Sequence, residues 1–261
     1  MTNPEPSIHV RVDLSNPGQF FACCGLLELA DRLWPGAEAW FADGEFCIAC
    51  NGTSKQLLMA LIESPLDQDD ADDDMASPMR LADPFGLELN WWCGENSPGR
   101  ALKVWAGSMR GVRIARAMKQ AMLHAIQADV LFDHAAVAFD PDQPRKKVEP
   151  FYFDSRRGRN ALALDIGFAP DGLKIRTLAY PAVELLCLVG LQRCRPRITS
   201  TRRVFEYTAW RPRLPVLVAP AVVCGVLPSV GSHTYSFESG FRTDQKKHKA
   251  FLPATLIGAS S

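Results

Sequence analysis

The residues in this chain whose grouping could do chemistry are cations. Ser155-Arg156-Arg157-Gly158-Arg159-Asn160 sets three guanidinium groups around one glycine. A guanidinium is a planar fork that donates two parallel hydrogen bonds to phosphate oxygens, and a glycine lets a strand come close. A second basic group follows at Lys246, Lys247 and Lys249, and Arg110 and Arg113 begin a third. Phe151, Tyr152, Phe153, Tyr235, Phe237 and Phe241 stand near these cations, a mixture that suits a nucleic-acid strand because bases stack on rings while cations take phosphates. The candidate nucleic-acid-binding residues are therefore Arg156, Arg157, Arg159, Lys246, Lys247, Lys249, Arg110 and Arg113.

Signatures of catalysis are lacking. The chain has no Gly-rich phosphate loop, no His-Glu-x-x-His and no Gly-x-Ser-x-Gly, and its five histidines at 9, 124, 134, 233 and 248 are scattered. No catalytic residue is assigned, and the protein is expected not to be an enzyme. The alternative is metal-independent RNA cleavage, with His233 beside Tyr235, or His248 among lysines, taking the 2'-hydroxyl proton. Cys47-x-x-Cys50 lacks the second ligand pair of a zinc site, and the aspartates between 67 and 74 lack the glycine and spacing of a calcium loop. No metal and no cofactor are expected.

The formal net charge of zero conceals a division. Residues 1–98 carry 4 Lys and Arg against 17 Asp and Glu, net −13, whereas residues 99–261 carry 25 against 12, net +13. The basic part would face a polyanion and the acidic part solvent or a basic neighbour. Two parts are expected on this ground, an acidic 1–98 and a basic 99–261. The N-terminus has neither a basic start nor an apolar core, no apolar run is long enough for a membrane helix, and the cysteines lack the spacing of a secreted framework. A cytoplasmic protein without a membrane partner is expected.

The elements that must position these residues can be read in order. Ile8 to Leu14 alternates as a strand; Asn16 caps a helix opened by Pro17 and stopped at Pro35-Gly36. Gly25 inside that helix implies close approach of another backbone or of a nucleic-acid strand, helix-on-sheet packing being the plainer reading. A hairpin turns at Asp43-Gly44, a helix runs from Thr53 or Ser54 to about Glu63, residues 64–78 form an acidic loop, and Leu87 to Trp91 is a strand. Strand, helix, strand, strand, helix, strand is the ferredoxin-like sequence of elements, so the predicted class is α+β with a ferredoxin-like N-terminal half. Beyond it the pattern predicts a basic helix over 108–127, a linker at 140–147, a strand at 151–153, a hairpin over 162–178 and a buried helix over 181–192. The remainder, including Val216 to Leu227, reads as mostly antiparallel strand.

Three stretches carry a family resemblance. Asn16-Pro17-Gly18-Gln19-Phe20-Phe21-Ala22-Cys23-Cys24-Gly25-Leu26-Leu27-Glu28-Leu29-Ala30, then Phe151 to Ala161 with Leu164 to Phe168, then Ala179-Tyr180-Pro181-Ala182-Val183-Glu184-Leu185, resemble the third member of the Csb group of type I-G (formerly I-U) CRISPR-associated proteins. The resemblance implies a non-catalytic, large-subunit-like component of a Cascade-like, crRNA-guided antiviral complex. Its partners would be the other CRISPR effector subunits, crRNA and target DNA. Two alternatives stand beside it: an endonuclease that processes CRISPR repeat RNA, and a protein-interaction subunit that touches no nucleic acid.

Overall fold

The structure, a computed structural model, describes residues 5–68, 77–94, 97–106, 109–124, 130–158, 178–242 and 249–259. Its class is α+β, with five α-helices and several antiparallel sheets among the described residues. No helix there is long and apolar enough to cross a membrane.

Strand β1 (Ile8–Arg11) leads into helix α1 (Pro17–Leu33), and β2 (Glu38–Ala42) and β3 (Glu45–Ala49) form the hairpin. Asn16 caps α1 through its side-chain oxygen, which accepts from Gly18 N at 3.1 Å. Asp43 and Gly44 take positive φ at the hairpin tip, as such a tight turn requires. Hydrogen bonding orders the sheet β1-β3-β2, the split β-α-β half of the expected arrangement. The next element, α2 (Ser54–Glu63), carries a complete capping box between Thr53 and Gln56.

The arrangement then departs from expectation. The strand at Leu87–Leu89 joins a separate three-stranded sheet, β4 (Leu66–Gln68), β5 (Met79–Leu81) and β6 (Leu87–Leu89), instead of pairing with β1. The fourth strand of the first sheet is β11 (Leu214–Pro215), which pairs with β2. A sequence order of elements does not say which strands pair, and here a segment from the basic part completes the acidic part's sheet. One hydrophobic cluster runs through both parts, so the charge boundary at 98/99 is not a boundary in the core.

Three further readings are corrected. The basic helix is shorter than read, α3 (Gly111–Ala121) followed by a single 3-10 turn. The supposed linker is a small hairpin, β7 (Phe139–Asp140) with β8 (Gln143–Lys147). Inside the presumed strand pair of 216–227 lies helix α5 (Ala219–Val223), opened by a proline whose fixed φ also suits a first helical turn. Of the acidic loop read over 64–78, Leu66–Gln68 is strand β4, a β-ladder partner of β5, and 69–76 lies outside the described residues, as does most of the 162–178 hairpin.

The second large sheet is built on β12 (Gly231–Phe241). On one side lie β10 (Val204–Trp210) and β9 (Arg197–Ile198); on the other, end to end, lie β13 (Lys249–Phe251) and β14 (Thr255–Ala259). Phe20 of α1 touches both large sheets, stacking on Phe41 at 5.4 Å and on Tyr207 at 4.4 Å between ring centroids. Trp210 closes the seam by donating from Nε1 to Ala39 O at 2.8 Å.

The helix at the centre is paired with another helix. Every residue of α1 from Pro17 to Ala30 is buried, and its main partner is α4 (Pro181–Arg193), itself buried from Pro181 to Leu191. The two cross glycine to glycine. A methyl group built on Gly190 would overlap the carbonyl oxygen of Phe21 and stand 2.7 Å from Gly25 N; one on Gly25 would overlap Leu186 O. The close backbone at Gly25 is therefore that of α4. Buried Glu28 is bridged by Arg193 and, at 2.8 Å, by Arg32. Burial pushes its carboxyl up, but the two guanidinium groups outweigh burial and hold it below its ordinary value.

Replacing either crossing glycine by alanine sets a gain of about 1 kcal/mol in helix propensity against the cost of overpacking. Overpacking should win, so Gly190→Ala and Gly25→Ala are each expected to lose about 2 kcal/mol, or roughly 4–8 °C of melting temperature. A thermal melt of either variant at or above that of the parent would refute the crossing.

Candidate nucleic-acid interface

The stretch Phe151–Gly158 is held from beneath by two buried carboxylates. It is not a strand: Tyr152 sits at φ +71°, a left-handed conformation that breaks the expected alternation. Glu184 in the first turn of α4 accepts from the backbone N–H groups of Phe153 and Asp154, both at 3.1 Å. Asp154 takes Asn16 Nδ2 at 2.9 Å, and the oxygen of Asn16 that caps α1 also accepts from Ser155 N at 3.1 Å. Residues 16, 154 and 184 thus meet at one buried node, and they come from the three stretches that carry the resemblance.

Arg156 belongs to this node. Its Nη2 donates to Asp154 Oδ2 at 2.7 Å, its Nη1 to Asp133 Oδ1 at 2.9 Å, and its guanidinium lies 3.4 Å from the ring centroid of Tyr180. Burial works to lower its pKa, but hydrogen bonds to Asp154 and Asp133 and the charge of Asp154 raise it. Its face and most of its donors are occupied from inside the protein. Glu184 is shifted by burial instead: full burial pushes its carboxyl up to about 8, and the backbone N–H groups only partly offset this.

The neighbouring arginine, Arg157, is half-buried and faces a different set of residues. Gly158 packs its backbone against Phe251 O, and Phe251 N donates to Tyr152 O at 3.0 Å, which seats the 151–158 stretch on the outer edge of β13. The close approach at Gly158 is thus to β13. Arg242 lies with its guanidinium 3.4 Å from the centroid of Tyr152, whose hydroxyl donates to Glu149, and Arg157 is close enough to oppose the charge of Arg242. Arg203 lies 4.6 Å over Phe241, and Lys249 stands directly across the ladder from Phe241. Burial lowers the pKa of Lys249, and Arg203 and Arg202 lower it further. Burial likewise lowers that of Arg242.

One rim therefore collects Arg157, Arg202, Arg203, Arg242 and Lys249. Among the described residues, Glu238, 3.7 Å from Arg203, and Glu149 are the carboxylates beside them. The Nε atoms of Arg157 and Arg203 are buried without a hydrogen-bond partner among the described residues. Aromatic faces hold two of these arginines flat, Arg203 over Phe241 and Arg242 over Tyr152.

Of the candidates, Arg157 and Lys249 are brought together at the rim, and Arg156 is engaged beside it in a structural ion pair with Asp154 and Asp133. Arg159, Lys246 and Lys247 lie outside the described residues, as does His248. Arg110 and Arg113 line a separate groove with Asp142 and Gln143, where Arg113 is bridged to buried Asp140. Arg116 on the same helix pairs with Asp67 at 2.6 Å. The basic face of α3 is thus largely used within the fold. His233 lines a cleft of about 400 Å³ with Arg211, Asp43 and Glu45, over an apolar floor of Leu14 and Phe41. Arg202, Arg203 and Arg242 were not among the candidates; the signal that could have found them was arginine next to the aromatic strand ends, as in Phe241-Arg242. Comparison of the chain with known protein families, with curated proteins and with solved structures finds no match in any of the three.

The node makes two predictions. Arg156→Ala leaves the fully buried Asp154 without its cation, and since Arg156 itself is partly exposed the expected cost is about 3 kcal/mol, the lower end for a broken buried pair. A melt unchanged by this variant would remove Arg156 from the node. For Glu184 the folded pKa lies above the unfolded one, so the folded state binds the proton more tightly. Its contribution is complete below about pH 4.5 and is lost as pH rises through about 8. Chemical denaturation from pH 5 to 9 should show stability falling across this window, with a shallower slope in Glu184→Gln; equal slopes would refute the assignment.

Proposed function

We propose that this chain is a non-catalytic, large-subunit-like component of a type I-G CRISPR interference complex, and that its rim holds the sugar-phosphate backbone of crRNA or target DNA. The observation that carries this reading is the convergence of cations from four separate stretches, 157, 202–203, 242 and 249, on one edge, with few carboxylates between them among the described residues. Such a surface binds phosphates without reading bases, which suits a complex in which the guide selects the target by pairing. The +13 charge of residues 99–261 supports the same reading. A cytoplasmic setting agrees with eight cysteines that form no disulfide. The other effector subunits complete the proposed set of partners.

The test is binding of single-stranded RNA and DNA, and incorporation into the guide-loaded complex, across a salt series. Joint replacement of Arg157, Arg202 and Lys249 by alanine should weaken binding and reduce the slope of log K against log salt by about 2, at roughly 0.7 per lost phosphate contact on a single strand. Unchanged affinity and slope in a variant that melts like the parent would overturn the assignment of the rim.

A further inference from the structure

The β7–β8 hairpin carries cations that the fold does not use. Every residue from Pro141 to Lys147 is exposed, and the side chains of Arg145, Lys146 and Lys147 have no hydrogen bond or ion pair among the described residues. The hairpin is irregular. Asp140 lies opposite Gln143 but Phe139 lies opposite Lys147, so Pro144, Arg145 and Lys146 are looped out of the ladder with nothing across from them. Such a bulge bends its strand and re-aims the side chains on it. Of the hairpin's own carboxylates, Asp140 is buried and bridged to Arg113, and Asp142 sits in the turn.

Charge on an exposed strand is by itself ordinary protection against edge pairing. The ring beside it is not. Among the described Phe, Tyr and Trp residues Phe139 is the one exposed ring, at 40%, and it stands directly across the ladder from Lys147. Residues opposite one another in an antiparallel ladder share a face, so the ring and the Lys147 side chain leave the hairpin together. A ring beside unpaired cations is the combination that holds a single strand, with a base on the ring and phosphates on the charges. An acidic peptide would meet the cations alone, whereas a nucleotide meets the cations and the flat face of the ring.

The root of the hairpin reaches the rim. Glu149, two residues beyond Lys147, accepts from the hydroxyl of Tyr152, the ring over which Arg242 lies. Five residues of extended chain span at most about 18 Å, so Lys147 and Tyr152 lie within roughly five stacked nucleotides of each other. We propose that the β7–β8 hairpin is a second contact on the path of a single nucleic-acid strand, with one base stacked on Phe139 and the neighbouring phosphates taken by Arg145, Lys146 and Lys147. This inference deepens the proposed function and rests on it, since it extends the strand held at the rim, where Arg203 and Arg242 already cover the rings of Phe241 and Tyr152. The contact uses the face of a base and the phosphates rather than base edges or the 2'-hydroxyl, so RNA and DNA should be held alike.

Fluorescence anisotropy of the full chain with oligothymidylate and oligouridylate of about 16 nucleotides, over a salt series, tests it. Joint replacement of Arg145, Lys146 and Lys147 by alanine should reduce the slope of log K against log salt by about 2 for both probes, at roughly 0.7 per lost phosphate. Phe139→Ala should weaken binding by between about fivefold and about 150-fold and leave the slope unchanged, because a ring releases no counterions. Unchanged affinity in hairpin variants that melt like the parent would overturn the inference, and a rim variant that still loses affinity would leave the proposed function standing. Loss in the hairpin variants beside a rim variant that binds like the parent would support the hairpin contact and overturn the rim. A reduced slope with Phe139→Ala indifferent would overturn the stacked base. Should Phe139→Ala fail to fold, Phe139→Leu, which keeps the apolar bulk without a flat face, decides the matter by the same affinities.

Discussion

The contact on which the remaining structure depends is the crossing of α1 and α4 at Gly25 and Gly190. Two helices normally stand 8–10 Å apart because side chains separate them, and glycine at both crossing points removes that spacer. The approach brings the N-termini of both helices to the 151–158 stretch, so that Asn16 and Glu184 can hold it together. It also frees the other faces of α1, which is why Phe20 can reach both large sheets. The apolar bulk of the chain is then organised around a helix with no solvent face between Pro17 and Ala30.

The node and the rim show how internal pairing decides which cations a surface can offer. Arg156 and Arg157 are adjacent in the chain and identical in kind, yet Arg156 is stacked on Tyr180 between two aspartates while Arg157 turns toward Arg242 and β13. The difference follows from Asp154, a carboxylate that burial would penalise without a cation beside it. Asp140 and Asp67 act in the same way on α3, drawing Arg113 and Arg116 back into the fold. Among the cations left on the rim, Arg203 and Arg242 are engaged chiefly by aromatic rings.

What the sequence made legible was local. Asn16 with Pro17, Thr53 with Gln56, and Asp43-Gly44 each specify a cap or turn through their own atoms, and those elements are where the residues place them. Pairing between distant segments was not legible. Nothing local in Leu214-Pro215 says that it joins β2, and nothing in Leu87–Leu89 says that it avoids β1. The helix at 219–223 was hidden because a short run of Val, Ala and Pro suits either conformation. At the site, the cluster of arginines was visible but its division was not, since Asp133 and Tyr180 lie far along the chain from Arg156. Gly25 announced a close neighbour without naming it.

The span between α1 and α4 bears on how the chain is made. The ribosome completes α1 at residue 33 but does not begin α4 until residue 181, a gap that takes roughly 7–30 s at ordinary elongation rates. Throughout that interval a helix destined to be buried on every side has neither its partner nor, with β10 and β12 still unmade, the second sheet against which Phe20 and Phe21 close. The nascent chain must therefore carry a fully buried helix without its final cover for most of its own synthesis, and the order of translation is the reverse of the order in which the core can be sealed.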